Sequence, residues 1–232
     1  MTVPLILVIC LAGVVCLIPL TFYLLWLAQI TRREHPIAVP GTWDFTALAL
    51  GLSGFVFFGA GVVLTLLQSN FRFWMRGNFE AFRAVWIKEW VTWSVLVSFY
   101  LVAVLGGIGL TLLGRRRSLV VYNIEPDAFE ALLGEVFAQI GRPLERTGNL
   151  WVSEGPVFEL DTFEGGRTVT LRWVSNDDRL FEDIARLLRA ALSTHSADEN
   201  QVARWFHSAA VATGAVVACS FALLIYYFTL TR

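Results

Sequence analysis

The sequence predicts an all-α transmembrane portion of four helices, joined to a small soluble α+β domain in which two helices pack on one face of an antiparallel sheet. Of the 232 residues, 56% are hydrophobic and 16% are charged, a balance typical of a membrane protein. Four apolar runs without Asp, Glu, Lys or Arg are long enough to cross a bilayer. The segment between the third and fourth runs is polar and has the periodicity of strands and helices.

The third run shows the membrane pattern most clearly. Residues 91–113 carry no charge over 23 positions. At 1.5 Å per residue they form about 34 Å of helix, which matches the hydrocarbon core of a bilayer. Arg115, Arg116 and Arg117 follow directly. Because arginines beside a span stay on the cytoplasmic side, these three are the predicted topology determinants, and the soluble domain begins after them.

Two further spans precede the third in a membrane portion that covers residues 1–117. They are predicted at about 3–30 and 45–67, and the prolines and glycine between them predict a short loop at 31–44. Small residues recur at helical spacing in the second span, which predicts a face where another helix packs closely. These residues are Ala47, Gly51 and Gly54.

Residues 70–90 combine an aromatic row with a cationic row one position further along the chain. This pattern is typical of an amphipathic helix that lies in the membrane interface. An ordinary structured loop and a docking surface for another membrane protein are the alternatives. The aromatic row consists of Phe71, Met75, Phe79, Phe82, Trp86 and Trp90.

Residues 118–196 form the predicted soluble domain. Its first helix begins at Pro126 and ends before Gly141. Its second helix begins near Ser175, with Asp178 three positions on as in a capping box. The predicted strands are 119–124, 144–146, 150–153, 157–164 and 167–174.

Residues 197–232 contain a polar linker and the fourth span, which is predicted at about 207–230. Small residues recur every four positions in this span. The spacing predicts a second helix-packing face, because small side chains let helix backbones approach each other. Its residues are Ala210, Gly214, Ala218 and Ala222.

The charge of the chain is unevenly distributed. From Ser118 to Ser196 there are 13 Asp and Glu against 7 Arg, and the rest of the chain holds 11 Lys and Arg against 6 acids. An acidic domain disfavours nucleic acid as a partner, which needs a cationic surface. Together with the arginine triplet, the split predicts a bacterial inner-membrane protein whose soluble domain is cytoplasmic and docks a basic protein there.

No catalytic residue, cofactor site or metal site is predicted. The four spans lack the ionisable side chains that ion transport usually requires. His35 and His195 lie in polar loops without a second ligand at metal spacing. Glu159, Asp161 and Glu164 alternate with polar residues as on a solvated sheet face. The cysteines lie in apolar runs, where they act as small hydrophobic residues; they are Cys10, Cys16 and Cys219.

One short match points to a reaction. Gly51-Leu52-Ser53-Gly54 resembles the Gly-x-Ser-Gly of the rhomboid intramembrane proteases, and His207 begins a later span that is parallel to the second. The resemblance implies a Ser53 nucleophile activated by His207. The alternative interpretation is a serine on a glycine-rich packing face.

Three functions remain open. The first is a non-enzymatic accessory, anchoring or assembly subunit of a membrane complex, which packs against other membrane subunits or a second copy of itself. The second is a membrane-anchored sensor or regulator whose soluble domain binds a ligand, which a pocket between its two helices and the sheet would favour. The third is the intramembrane serine hydrolase implied by Ser53 and His207.

Overall fold

The structure is a computed structural model that describes residues 3–67, 79–88, 90–153, 155–175, 177–196 and 200–230. Its helices are α1 (Val3–Thr31), α2 (Gly41–Leu67), α3 (Phe79–Lys88), α4 (Trp90–Gly114), α5 (Pro126–Ile140), α6 (Asp178–Thr194) and α7 (Gln201–Leu230). Within the described residues, α1, α2, α4 and α7 are long and apolar enough to cross a membrane.

The strands form one antiparallel sheet in the order β1-β2-β6-β5-β4-β3. They are β1 (Ile37–Pro40), β2 (Ser118–Tyr122), β3 (Glu145–Thr147), β4 (Leu150–Val152), β5 (Pro156–Phe163) and β6 (Thr168–Trp173). The predicted combination of four long apolar helices with an antiparallel sheet is therefore confirmed.

Strand β1 lies where the sequence predicts a loop. The prediction for residues 31–44 is wrong at Ile37–Pro40, which pairs with β2 in the register Ala38 to Val121. It is also wrong at its end, because α2 already begins at Gly41. Proline is tolerated at the end of an edge strand, so Pro40 does not break the pairing.

The chain divides into two compact units. The helical unit comprises Met1–Leu24, Leu48–Leu110 and Ser208–Arg232, and the sheet unit comprises Leu25–Ala47 and Thr111–His207. The sheet unit therefore contains the end of α1, the start of α2 and the last turn of α4, in addition to the strands. The sequence predicts a boundary at residue 117 and does not reveal that these helix ends belong with the sheet.

The core of the sheet unit lies between one face of the sheet and helices α5 and α6. An aromatic row crosses three strands there. Trp151 stacks on Phe158 with ring centroids 6.0 Å apart, and Phe158 stacks on Trp173 at 6.1 Å. Residues directly opposite on neighbouring antiparallel strands bring their side chains together, and these rings occupy such positions.

The ends of α5 and α6 follow local signals. Pro126 is the first residue of α5, and Gly141 ends it in the left-handed conformation with φ of 73°. At α6 the predicted cap is wrong, because Asp177 caps the helix by accepting a hydrogen bond from the Leu180 amide at 3.1 Å. The Ser175 hydroxyl instead accepts from the Asp177 amide at 3.2 Å.

The structure describes only part of the predicted interfacial helix. Phe71 and Met75 lie outside the described residues. Helix α3 contains Phe79, Phe82 and Trp86. Trp90 begins α4 with an exposed side chain.

Candidate functional site

Gly51 and Gly54 of α2 pack against α1 in the helical unit. A side chain at Gly51 would collide with Tyr23, and one at Gly54 would overlap the backbone of Val15 and Cys16. The Cys16 thiol donates to the Gly54 carbonyl oxygen at 3.5 Å. Close contact of this kind requires residues without a side chain. Ala47, the third member of the predicted face, is half-buried in the sheet unit.

Helix α7 also packs against α1, on a face that only partly coincides with the predicted one. Ala210 is buried, and a Cβ on Gly214 would lie 3.7 Å from Thr21. Ala218 and Ala222 are exposed in this chain. Four residues turn a helix by about 40° more than a full turn, so a four-residue repeat drifts away from its starting face.

The contacts between α7 and α1 are polar as well as close. The Thr21 hydroxyl lies 3.0 Å from the Thr213 hydroxyl. Gly13 leaves room for Ser220, whose Oγ would lie 2.9 Å from a Cβ at that position. Hydroxyls that bond across helices and small residues that admit them are the usual means of helix association in lipid.

Among the four long apolar helices, α4 has the smallest share of buried residues. None of the residues in its most apolar 18-residue stretch is buried. The Tyr100 hydroxyl donates to the Val56 carbonyl oxygen of α2 at 2.9 Å. Gly106 and Gly109 have no atom within 4 Å of the position that a Cβ would take. The surface of α4 away from α2 is therefore open.

The two residues of the rhomboid-like match have ordinary surroundings. The Ser53 hydroxyl donates to the Leu50 carbonyl oxygen at 2.7 Å, a hydrogen bond within its own helix. His207 is exposed. These observations agree with the packing interpretation of Ser53, and the hydrolase stays a prediction.

A polar cluster joins α2, α4 and β2 within the sheet unit. The Tyr122 hydroxyl donates to Asp44 Oδ1, and Arg115 Nη1 lies 3.3 Å from Asp44 Oδ2. Arg115 also lies over the Phe45 ring, 5.4 Å from its centroid. The Tyr122 ring meets Trp26 of α1 edge to face at 6.4 Å. The cluster covers Tyr122 on β2, a strand whose five residues are all buried.

The predicted topology determinants have unequal surroundings. Arg115 belongs to this cluster, and Arg117 forms an ion pair with Asp178 at 3.0 Å. Arg116 is exposed. The charges of Arg115 and Arg117 are thus partly compensated by carboxylates of the chain itself, and their role in topology stays a prediction.

A cavity of about 590 Å³ lies on the face of the sheet opposite α5 and α6, beside the last turn of α4. Both charge signs are present in its wall, with Arg172 Nη1 4.0 Å from Glu159 Oε2. The sequence gives no direct signal for this site, because its residues come from distant segments. Among them are Gly114, Arg115, Asn149, Glu159, Asp161 and Arg172.

The histidines of the two polar loops meet through one contact, since His35 Nδ1 lies 2.9 Å from the His195 carbonyl oxygen. Within the described ranges no group of three or more His, Cys, Asp or Glu side chains could hold a metal ion.

Comparison of the chain with protein-family models, with curated proteins and with solved structures gives no match.

Proposed function

We propose that this chain is a non-enzymatic accessory, anchoring or assembly subunit of a membrane complex. In this proposal α1, α2, α4 and α7 cross a bacterial inner membrane, and the sheet unit lies in the cytoplasm. Helix α3 then lies in the opposite membrane interface. The observation that carries the proposal is the open surface of α4.

The open surface of α4 is continuous and combines bulky with small residues. Its positions follow steps of three and four residues, so they share one helix face. Gly106 lets a partner helix approach closely while the large side chains on either side supply packing area. The members of this face are Phe99, Val102, Gly106 and Leu110.

The sheet unit supplies the second part of the proposal, an acidic surface for a basic cytoplasmic protein. Several carboxylates stand exposed on α5, β3 and α6, and the segment carries 13 acids against 7 arginines. Opposite charges on a partner speed its association and orient it. Exposed members are Asp127, Glu135, Glu145 and Glu182.

Site-specific photocrosslinking tests the subunit proposal. The photoreactive residue p-benzoylphenylalanine replaces Val102 on the open face of α4, and in a control it replaces Phe22, which is 68% exposed on α1. After irradiation of native cells, we expect a protein adduct of defined mass at position 102 and none at position 22. A monomer without protein adducts at position 102 would contradict the proposal.

A membrane-anchored sensor or regulator is the second candidate, and the 590 Å³ cavity favours it. That volume lies within the range of small-molecule sites. The sequence-based expectation for a sensor places the pocket between the two helices and the sheet. The cavity is instead lined by β5, β6 and the end of α4, so a ligand there would contact the end of an apolar helix.

A further inference from the structure

We propose that this cavity binds the head group of a phospholipid that carries both a phosphodiester and a primary ammonium group, as in phosphatidylethanolamine. The inference rests on the proposed placement of α4 in the membrane, and it names the ligand of the site. It does not require the chain to be a subunit of a complex.

In this proposal the arginines of the cavity bind the phosphate. Arg172 projects from β6, its side chain is 68% exposed, and the 4.0 Å distance to Glu159 leaves most of its donors available. A guanidinium binds phosphate oxygens through two parallel hydrogen bonds. Arg115 adds positive charge from the end of α4, while its contact with Asp44 holds the side chain in place.

In this proposal the carboxylates of the cavity bind the ammonium group. Glu159 lies opposite Arg172 in the sheet register, and Asp161 lies opposite Thr170 one pleat further along the same face. Two negative and two positive side chains thus line one cavity. Glu159 and Asp161 would repel a purely anionic ligand. A zwitterion can pair its phosphate with the arginines and its ammonium group with the carboxylates.

The position of the cavity favours a lipid over a soluble zwitterion. Thr111 and Gly114 belong to the last turn of α4, where the apolar run ends. A head group in the cavity would leave its acyl chains alongside α4, so apolar contact adds to the polar recognition.

Native mass spectrometry of the full chain in detergent tests the proposal by titration with three dioleoyl lipids. Phosphatidylethanolamine offers a phosphate that accepts hydrogen bonds and an ammonium group that donates them. Phosphatidylcholine lacks the N–H donors, and phosphatidylglycerol lacks the cation. We expect the ethanolamine lipid to bind about tenfold more tightly than either of the others, the effect of one charge-assisted hydrogen bond.

Three variants and two controls assign the preference to the cavity. Gly114→Leu fills it, since a Cβ there meets no atom within 4 Å, and Arg172→Gln and Asp161→Asn remove one charge of each sign. Each variant should lose the preference. Gly134→Leu on α5, where an added Cβ also meets no atom within 4 Å, and Arg186→Gln on α6 should retain it.

Three results would overturn the inference. One is equal binding of the three lipids by the unaltered chain. Another is an undiminished preference in Arg172→Gln and Asp161→Asn, whose exposed positions allow them to fold normally. The third is displacement of the lipid by soluble O-phosphoethanolamine at comparable concentration, which would show that the acyl chains contribute nothing. These readouts are independent of the crosslinking at position 102.

Discussion

The Tyr122 hydroxyl in β2 donates a hydrogen bond to the Asp44 carboxylate in the first turn of α2. The bond joins an apolar helix to β2, the strand next to the edge strand β1, and Asp44 is only 14% exposed. A carboxylate near a helix N-terminus is stabilised by the helix dipole, so Asp44 is well placed to hold both Tyr122 and Arg115.

Removing that hydroxyl should weaken the sheet unit. Tyr122→Phe keeps the ring beside Trp26 and deletes the bond to Asp44. We expect the free energy of unfolding to fall by about 1.5–3 kcal/mol, as for a hydrogen bond to a charged group. Denaturant unfolding in detergent, followed by tryptophan fluorescence, measures the change. Tyr226→Phe on the exposed side of α7 is the control, and an equal loss in both variants would argue against a specific role for Tyr122.

Two glycines of α2 offer a matched test of helix packing. Gly54→Leu forces a side chain into the backbone of α1, whereas Gly59→Leu meets no atom within 4 Å. We expect Gly54→Leu to cost about 1–3 kcal/mol or more, in the range of overpacked sites. The melting temperature in detergent should fall for Gly54→Leu and change little for Gly59→Leu. Similar melting temperatures would mean that α1 and α2 do not pack at this position.

The aromatic row of the core can be tested with two phenylalanines of one strand. Phe158 is fully buried between Trp151 and Trp173, and Phe163 is 68% exposed. Phe158→Ala should cost about 3–5 kcal/mol because it leaves a large cavity. It should also alter the near-ultraviolet circular dichroism of the neighbouring tryptophans. Phe163→Ala should do neither, and a small effect of Phe158→Ala would show that the row is not part of the core.

Local signals in the sequence predict the elements that local interactions determine. Helix α5 is an example, because Pro126 and Gly141 mark its ends and an apolar stripe runs between them. The short strands of the sheet unit follow from alternating residues and turns. Strand β1 is different, because its partner β2 lies about eighty positions later in the chain and its own flanking prolines resemble a loop.

The contact face of α7 is a second feature that the sequence pattern predicts only in part. Small residues at every fourth position predict a face that includes Ala218 and Ala222, yet Ser220 and Thr213 carry the described contacts. A repeat that alternates three and four residues would have followed the helix more closely. The cavity has no such pattern, since Glu159 and Asp161 have the alternation of a solvated sheet face and the sequence does not reveal that Arg115 lies near them.

The membrane orientation that the proposed function assumes can be measured by cysteine labelling in bacterial cells. In a chain whose three cysteines are replaced by serine, Ser193→Cys marks the sheet unit and Thr229→Cys marks the end of α7, both at exposed positions. A membrane-impermeant maleimide should label Thr229→Cys in intact cells and Ser193→Cys only after permeabilisation. Labelling of Ser193→Cys in intact cells would contradict a cytoplasmic sheet unit and the account built on it.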